Sequence, residues 1–464
     1  MLVAFLIVGP FVHAAQPAVP PAEEPKPPPS VLDQLKNPNS ILHFGGDLRL
    51  RHTYLKNEFD FDNDGRDNRS FFRIRGRLWG KVGPFLQQDI EQPNGLTFYT
   101  RLTYEPRYVV QWNGDYDQPL WDELIVDNLY VDWKRPGGLP FSLKVGRQDL
   151  FFGDLRKGRG LVLVDPSILE GSRTLYSDAI RATIHLDAIK GSLDLIAMNN
   201  LADQDRLTPL GNKDRFVSEY NQSVYVAYFR SRMVEGHEFG AYYIHKNEDL
   251  DRDYVNQGLN DRMVHTVGIP LMGKCGKNID YYAEFAYQWG TEGRMRRQSY
   301  AITTDLGYTV TDSPWTPRFH GGYEYLTGDD PSTRDWEGWD PVMSRWPQWS
   351  ELLGYRWAVE TGGMPFYYTN LHRFTLGFSV QPIKRMTFLL DHSILLTDTH
   401  PNGKAGRYRS GHTRGQLTVA KVAYGITKNT SMHVWLERFH PGSYYSDAQD
   451  SSALFFRTQF VYKF

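Results

Sequence analysis

From Ile41 onward, apolar and polar residues alternate with a period of two, as in strands whose neighbouring side chains point to opposite faces. Residues 47–54 set Leu48, Leu50, His52 and Tyr54 against Asp47, Arg49 and Arg51. Residues 72–82 set Phe72, Ile74, Leu78 and Val82 against Arg73, Arg75, Arg77 and Lys81. Residues 96–104 set Leu96, Phe98, Leu102 and Tyr104 against Arg101 and its neighbours. The last twelve residues, ALFFRTQFVYKF, place Leu454, Phe456, Thr458, Phe460, Tyr462 and Phe464 on one face, with Arg457, Gln459 and Lys463 on the other. Similar runs recur at 126–133, 141–145, 180–186, 193–197, 224–230, 239–245, 264–271, 281–289, 300–308, 319–325, 372–380, 386–394, 417–426 and 432–436. No helical period persists, and the runs predict about 18 strands, an even number suited to a bacterial barrel.

The connections sharpen the prediction. Short turns at 135–140, 187–191, 231–236, 273–277, 381–385 and 427–430 largely alternate with longer segments at 56–69, 106–121, 149–173, 200–221, 247–262, 327–370, 397–412 and 441–452. Such alternation marks a meander barrel with short periplasmic turns and long extracellular loops. A soluble β-sandwich alternates too, with its apolar face inward. Three features favour a membrane: a densely cationic polar face on consecutive strands, the global loop alternation, and the aromatic C-terminal strand. Lipid cannot satisfy a free strand edge, so the sheet must close. The fold expected is an all-β transmembrane antiparallel up-and-down β-barrel.

Composition narrows the class further. The 464 residues are 41% hydrophobic and 14% aromatic, with a formal net charge of −2. That balance gives no case for nucleic acid. Mean hydropathy is −0.51, and after the N-terminus no apolar run approaches the ~20 residues of a spanning helix. The single cysteine, Cys275, sits in MGKCGK, a turn-like Gly/Lys setting. Residues 1–15 read as a secretory signal peptide lacking its positive n-region, and residues 16–40 as a Pro-rich periplasmic linker. Residues 41–464 would be the barrel, with outer-membrane lipid as its surroundings.

Two stretches resemble a known family. LKVGRQDLFFGD, residues 143–154, and GYEYLTGDDPSTRDWEGWDPVMSRWPQWSELLGY, residues 322–355, are similar to the alginate-export family of outer-membrane porins. The resemblance spans most of the chain from about Phe44 to Phe464. It implies a large monomeric barrel in the outer membrane of a Gram-negative-type bacterium, with an arginine-rich lumen that exports an anionic polysaccharide. The C-terminal aromatics ending at Phe464 resemble the signal read by the barrel-assembly machinery.

The expected substrate path is Arg49, Arg51, Arg73, Arg75, Arg77, Lys81, Arg101, Lys144, Arg147 and Arg181. Rings of Arg and Lys in a pore favour anions, and arginine pairs bidentately with carboxylates such as those of uronate sugars. Glu105, Glu284 and Glu324 are expected to share that face and to pair with some of these cations. A fully paired network would brace the wall without selecting a solute. The segment 327–370 holds Trp336, Trp339, Trp346, Trp349 and Trp357. These indoles either stack on sugars or form the loop's own core. Asp60, Asp62 and Asp64 open a calcium-loop pattern, but Phe71 stands where a bidentate Glu would complete it. A structural Ca²⁺ is the one cofactor this half-motif suggests, and no other cofactor is implied. No nucleophile elbow, zincin or dinucleotide motif occurs in a fitting context. The function read from the sequence is a porin passing anionic oligo- or polysaccharide. Uptake of small anionic nutrients is the alternative, and a carbohydrate-active enzyme is a more distant one.

Overall fold

The computed structural model describes residues 38–464 except 64–66, 87–93, 113–114, 153–159, 162–175, 203–206, 208–209, 212–219, 251–259, 344–346, 361–367 and 401–407. The leader, most of the linker, Asp64 and Trp346 lie outside the described residues.

Eighteen strands form the staves. They are β1 (Leu42–Lys56), β2 (Arg69–Phe85), β3 (Gly95–Tyr104), β6 (Ile125–Lys134), β7 (Phe141–Gln148), β8 (Ser177–Leu186), β9 (Gly191–Asn200), β10 (Tyr220–Ser231), β11 (His237–Leu250), β12 (Arg262–Cys275), β13 (Ile279–Glu292), β14 (Met295–Thr309), β15 (Arg318–Leu326), β16 (Leu371–Val380), β17 (Met386–Leu396), β18 (Thr413–Gly425), β19 (Thr430–Pro441) and β20 (Ala453–Lys463). Each stave pairs antiparallel with the next, and β1 also pairs with β20, so the sheet closes. Beyond the last residue of β20, Phe464 exchanges backbone hydrogen bonds with Gly46 at 3.0 and 3.1 Å. The predicted strand number therefore holds. Within the segment read as a long connection, β4 (Arg107–Trp112) and β5 (Asp115–Leu120) form a hairpin that leans on the outer end of β2.

The apolar stripes face outward. Leu78, Ile269, Leu306 and Leu376 are 58–76% exposed, as a wall solvated by hydrocarbon requires. Burying a charge there is costly. Leu78→Arg should lower stability in lipid by about 2–4 kcal/mol. Denaturant unfolding in liposomes reads this as an earlier midpoint.

The interior is asymmetric. On β9 to β12 the inward residues Ile196, Met198, Val224, Val226, Ile244 and Val264 are buried and apolar. Residues of the 327–370 loop pack into the same core, among them Trp339, Val342, Leu352, Leu353 and Trp357. The loop's helix, α1 (Leu352–Glu360), lies within it. Trp339 and Trp357 thus serve as the loop's own core, while Trp336 and Trp349 stay half-exposed. On β1 and β2 the inward face is mostly charged, while Leu417, Phe439 and Phe455 add apolar positions on β18 to β20.

Candidate functional site

Strand parity builds a basic wall. On β1 and β2, Asp47, Arg49 and Arg51 face inward beside Arg69, Arg73, Arg75, Arg77 and Lys81, while Leu48, Leu50, Phe72 and Ile74 face lipid. The register sets Arg49 opposite Arg75 and Arg51 opposite Arg73. Like charges directly opposed on a sheet are unfavourable. Acceptors drawn from other elements relieve the repulsion. Glu105, just past β3, takes Arg49 at 2.7 Å and Arg73 at 2.6 Å. Asp47 takes Arg75 at 2.9 Å and Arg77 at 2.6 Å. Arg51 donates to the side-chain carbonyl of Gln459 on β20 at 2.8 Å. Arg69 pairs with Glu58. Next round the wall, Arg457 of β20 pairs with Glu351 of the loop at 2.7 Å, and Lys421 of β18 lies 4.1 Å from the Trp435 ring.

The other predicted cations lie farther along. Arg101 bridges Asp127 at 2.8 Å and Asp149 at 2.9 Å. Arg181 pairs with Asp194 at 2.9 Å. Lys144 meets Asp132 only at 3.7 Å. Arg147 is a correction. The register places it opposite Leu129 and Asp178, on the face of exposed Val145 and Ile180. There it bonds Asp178 at 2.9 Å and covers the Tyr176 ring, outside the row formed by Lys144 and Arg181. The register runs unbroken through Gly146, so alternation from Val145 sets Arg147 on the outer face.

Of the three predicted carboxylates, Glu105 and Glu324 pair with arginines, Glu324 with Arg373 at 2.9 Å. Glu284 instead accepts the hydroxyls of Tyr242 and Tyr282, at 2.9 and 2.7 Å, and the amide of Leu161 at 2.8 Å. A second loop, 149–176, therefore also reaches the inner wall. Asp60 and Asp62 sit in the loop after β1, where the Asp60 carboxylate accepts the Asp62 amide at 3.0 Å.

The 327–370 loop bridges the bore. At one side, buried Asp340 accepts Lys246 of β11 at 2.8 Å and meets Arg262 of β12 at 3.3 Å, while its backbone exchanges hydrogen bonds with Gln288 of β13. At the other side, Ser350 and the amide of Glu351 donate to Glu437 of β19, at 2.6 and 2.9 Å. Strands β12 and β19 lie seven staves apart in a ring of eighteen, so these anchors stand well across the bore from each other. Arg373 lies 4.5 Å from the ring of Trp349, which stands on this crossing. Outside the staves, burial beside Glu337 holds the Asp329 carboxyl up at about 6.

Sequence reading missed Asp340, Lys246, Glu351, Lys421 and Arg457 as parts of the site. Only Arg457 left a signal, since it shares the wet face of the last strand.

A sequence profile described as alginate export matches residues 40–394. No curated protein sequence matches the chain. Among solved structures it resembles OccK7 (OpdD) of Pseudomonas aeruginosa, with TM-score 0.54 and 11% identity over 91% of this chain and 99% of that one. OccAB4 of Acinetobacter baumannii gives TM-score 0.53 and 12% identity over 92% of this chain and all of that one. At such identities the likeness speaks for the fold alone, that of an outer-membrane porin.

Proposed function

The chain belongs to the alginate-export family, and from that premise we propose that it passes anionic, uronate-type polysaccharide through the outer membrane along the basic wall of its lumen. The observation that carries this reading is the charge on two strands. Seven cations on the inward faces of β1 and β2 (Arg49, Arg51, Arg69, Arg73, Arg75, Arg77 and Lys81) share those faces with a single carboxylate, Asp47. Glu58 and Glu105, from neighbouring loops, offset part of that excess and leave it positive.

Such a wall lowers the barrier for an anion through its field. Arg49, Arg51, Arg73 and Arg75 are buried, and the half-covered Arg77 and Lys81 are the cations a passing carboxylate would meet. The pairs with Asp47 and Glu105 fix the guanidiniums in place, so their geometry is set before the solute arrives. A passive pore has no built-in direction, and the gradient decides between export and uptake.

Flux from vesicles tests the proposal. Proteoliposomes loaded with short oligouronates should release them faster than neutral oligosaccharides of equal length. Equal release of both would contradict it.

A further inference from the structure

The basic wall leaves one lumen feature unexplained, on the periplasmic half of β2, β3, β6, β7 and β8. A cavity of about 530 Å³ opens there between Asp132, Lys134, Arg135, Lys144, Arg181 and Asp187, a size ordinary for small-ligand pockets. Beside it stand three aromatic rings that face the bore. Trp79, Tyr99 and Tyr130 stack in sequence, with ring centroids 6.0 and 4.9 Å apart and planes within 21°. The register sets Tyr99 opposite Tyr130, while the outward neighbours on the same strands are Leu78, Phe98 and Leu129. These rings are therefore not a lipid belt.

The stack is held rigid at both ends. Trp79 lies flush on β1, where any Cβ on Gly45 would collide with its indole. The Lys144 ammonium caps the far end, 4.5 Å from the Tyr130 ring. The rings rise from the wall as a ledge that ends at the cavity.

The lining is chemically mixed. Arg135 pairs with Asp187 at 2.9 Å in an exposed bridge. The 3.7 Å gap between Lys144 and Asp132 is wider than the 2.6–2.9 Å pairs that Glu105 and Asp47 make on the basic wall. A bare anion would gain from the cations but meet two carboxylates with nothing to donate. A ligand carrying one carboxylate and several hydroxyls satisfies both. Its carboxylate takes Lys144 and Arg181, and its hydroxyls donate to Asp132 and Asp187. The phenols of Tyr99 and Tyr130 add an apolar edge and a polar tip.

We propose that this cavity and its tyrosine ledge form a periplasmic-side subsite for a uronate residue of an acidic oligosaccharide. The inference rests on the reading of the pore as a path for uronate chains and adds where, near the periplasmic mouth, such a chain is held. The subsite discriminates by combining charge with hydroxyls, which a purely cationic wall does not do.

Residence time in single-channel recordings tests it, using the full-length protein, a hexauronate, a neutral hexasaccharide and acetate as probes. The hexauronate should block the current in resolved events. Lys144→Ala should shorten those events about tenfold. Tyr130→Phe keeps the ring and removes only the hydroxyl, so folding is preserved, and it should shorten them about threefold. Hexauronate residence unchanged in both variants would overturn the subsite. So would a loss in Lys144→Ala alone that is equal for acetate and hexauronate, because that is a general charge effect. Absence of anion preference in the unsubstituted protein would instead sink the underlying porin reading.

Discussion

Replacing Arg49, Arg51, Arg73 and Arg75 together with glutamine should sharply lower the anion-to-cation permeability ratio of the channel. All four lie on the inward faces of β1 and β2. Glutamine still donates to Glu105 and Asp47, so the carboxylates keep hydrogen bonds while the wall loses four charges. One charge about 8 Å from a permeating ion is worth roughly 0.5 kcal/mol in water. Four sum to about 2 kcal/mol, and mobile ions screen part of that. The anion-to-cation permeability ratio should therefore fall by about tenfold. The ratio is measured from the zero-current potential under a salt gradient. An unchanged ratio would mean that the paired arginines brace the wall and select nothing.

Freeing the loop gives the second large effect. Asp340→Asn should raise single-channel conductance severalfold and expose the 327–370 loop to protease. Asp340 is buried with Lys246, Glu248 and Arg262, all of them fully or almost fully covered. Removing one carboxylate leaves two buried cations sharing Glu248, and breaking such a network costs about 3–5 kcal/mol. The attachment at Glu437 and Arg457 is untouched, while the near side keeps only neutral-acceptor bonds, from Gln288 to the Asp340 backbone and from Lys246 to the Val342 carbonyl. The staves do not depend on this anchor, since each is hydrogen-bonded to its neighbours. The barrel should still migrate faster unheated than boiled on a denaturing gel. Unchanged conductance with the loop cut would show that it does not constrict the path.

Much of the fold was legible because a lipid-facing wall enforces strict parity. Leu48, Leu50, Phe72 and Ile74 could be sorted from Arg49, Arg51, Arg73 and Arg75 by position alone. The parity failed where both faces are apolar. On β10, Val224 and Val226 face inward under the loop, while Tyr225 faces lipid, so alternation carries no sign there. Arg147 shows the opposite lesson, because its parity with Val145 already set it on the outer face that its charge alone disguised. The loop's role was half visible. Its tryptophans announced order, but the pairing of Asp340 with Lys246 spans 94 residues, and no local pattern encodes it. The charge balance was partly legible, since Glu105 was expected to pair with cations of this face and takes Arg49 and Arg73, whereas the pairing of Arg457 with Glu351 spans 106 residues.

The central claim is that water and a net positive wall share the bore of this barrel. The zero-current potential of the unsubstituted, full-length protein in a planar bilayer under a steep KCl gradient tests that claim most directly. The account predicts open-channel steps whose reversal potential lies toward that of chloride. A reversal potential toward potassium, or a membrane that stays silent, would contradict it.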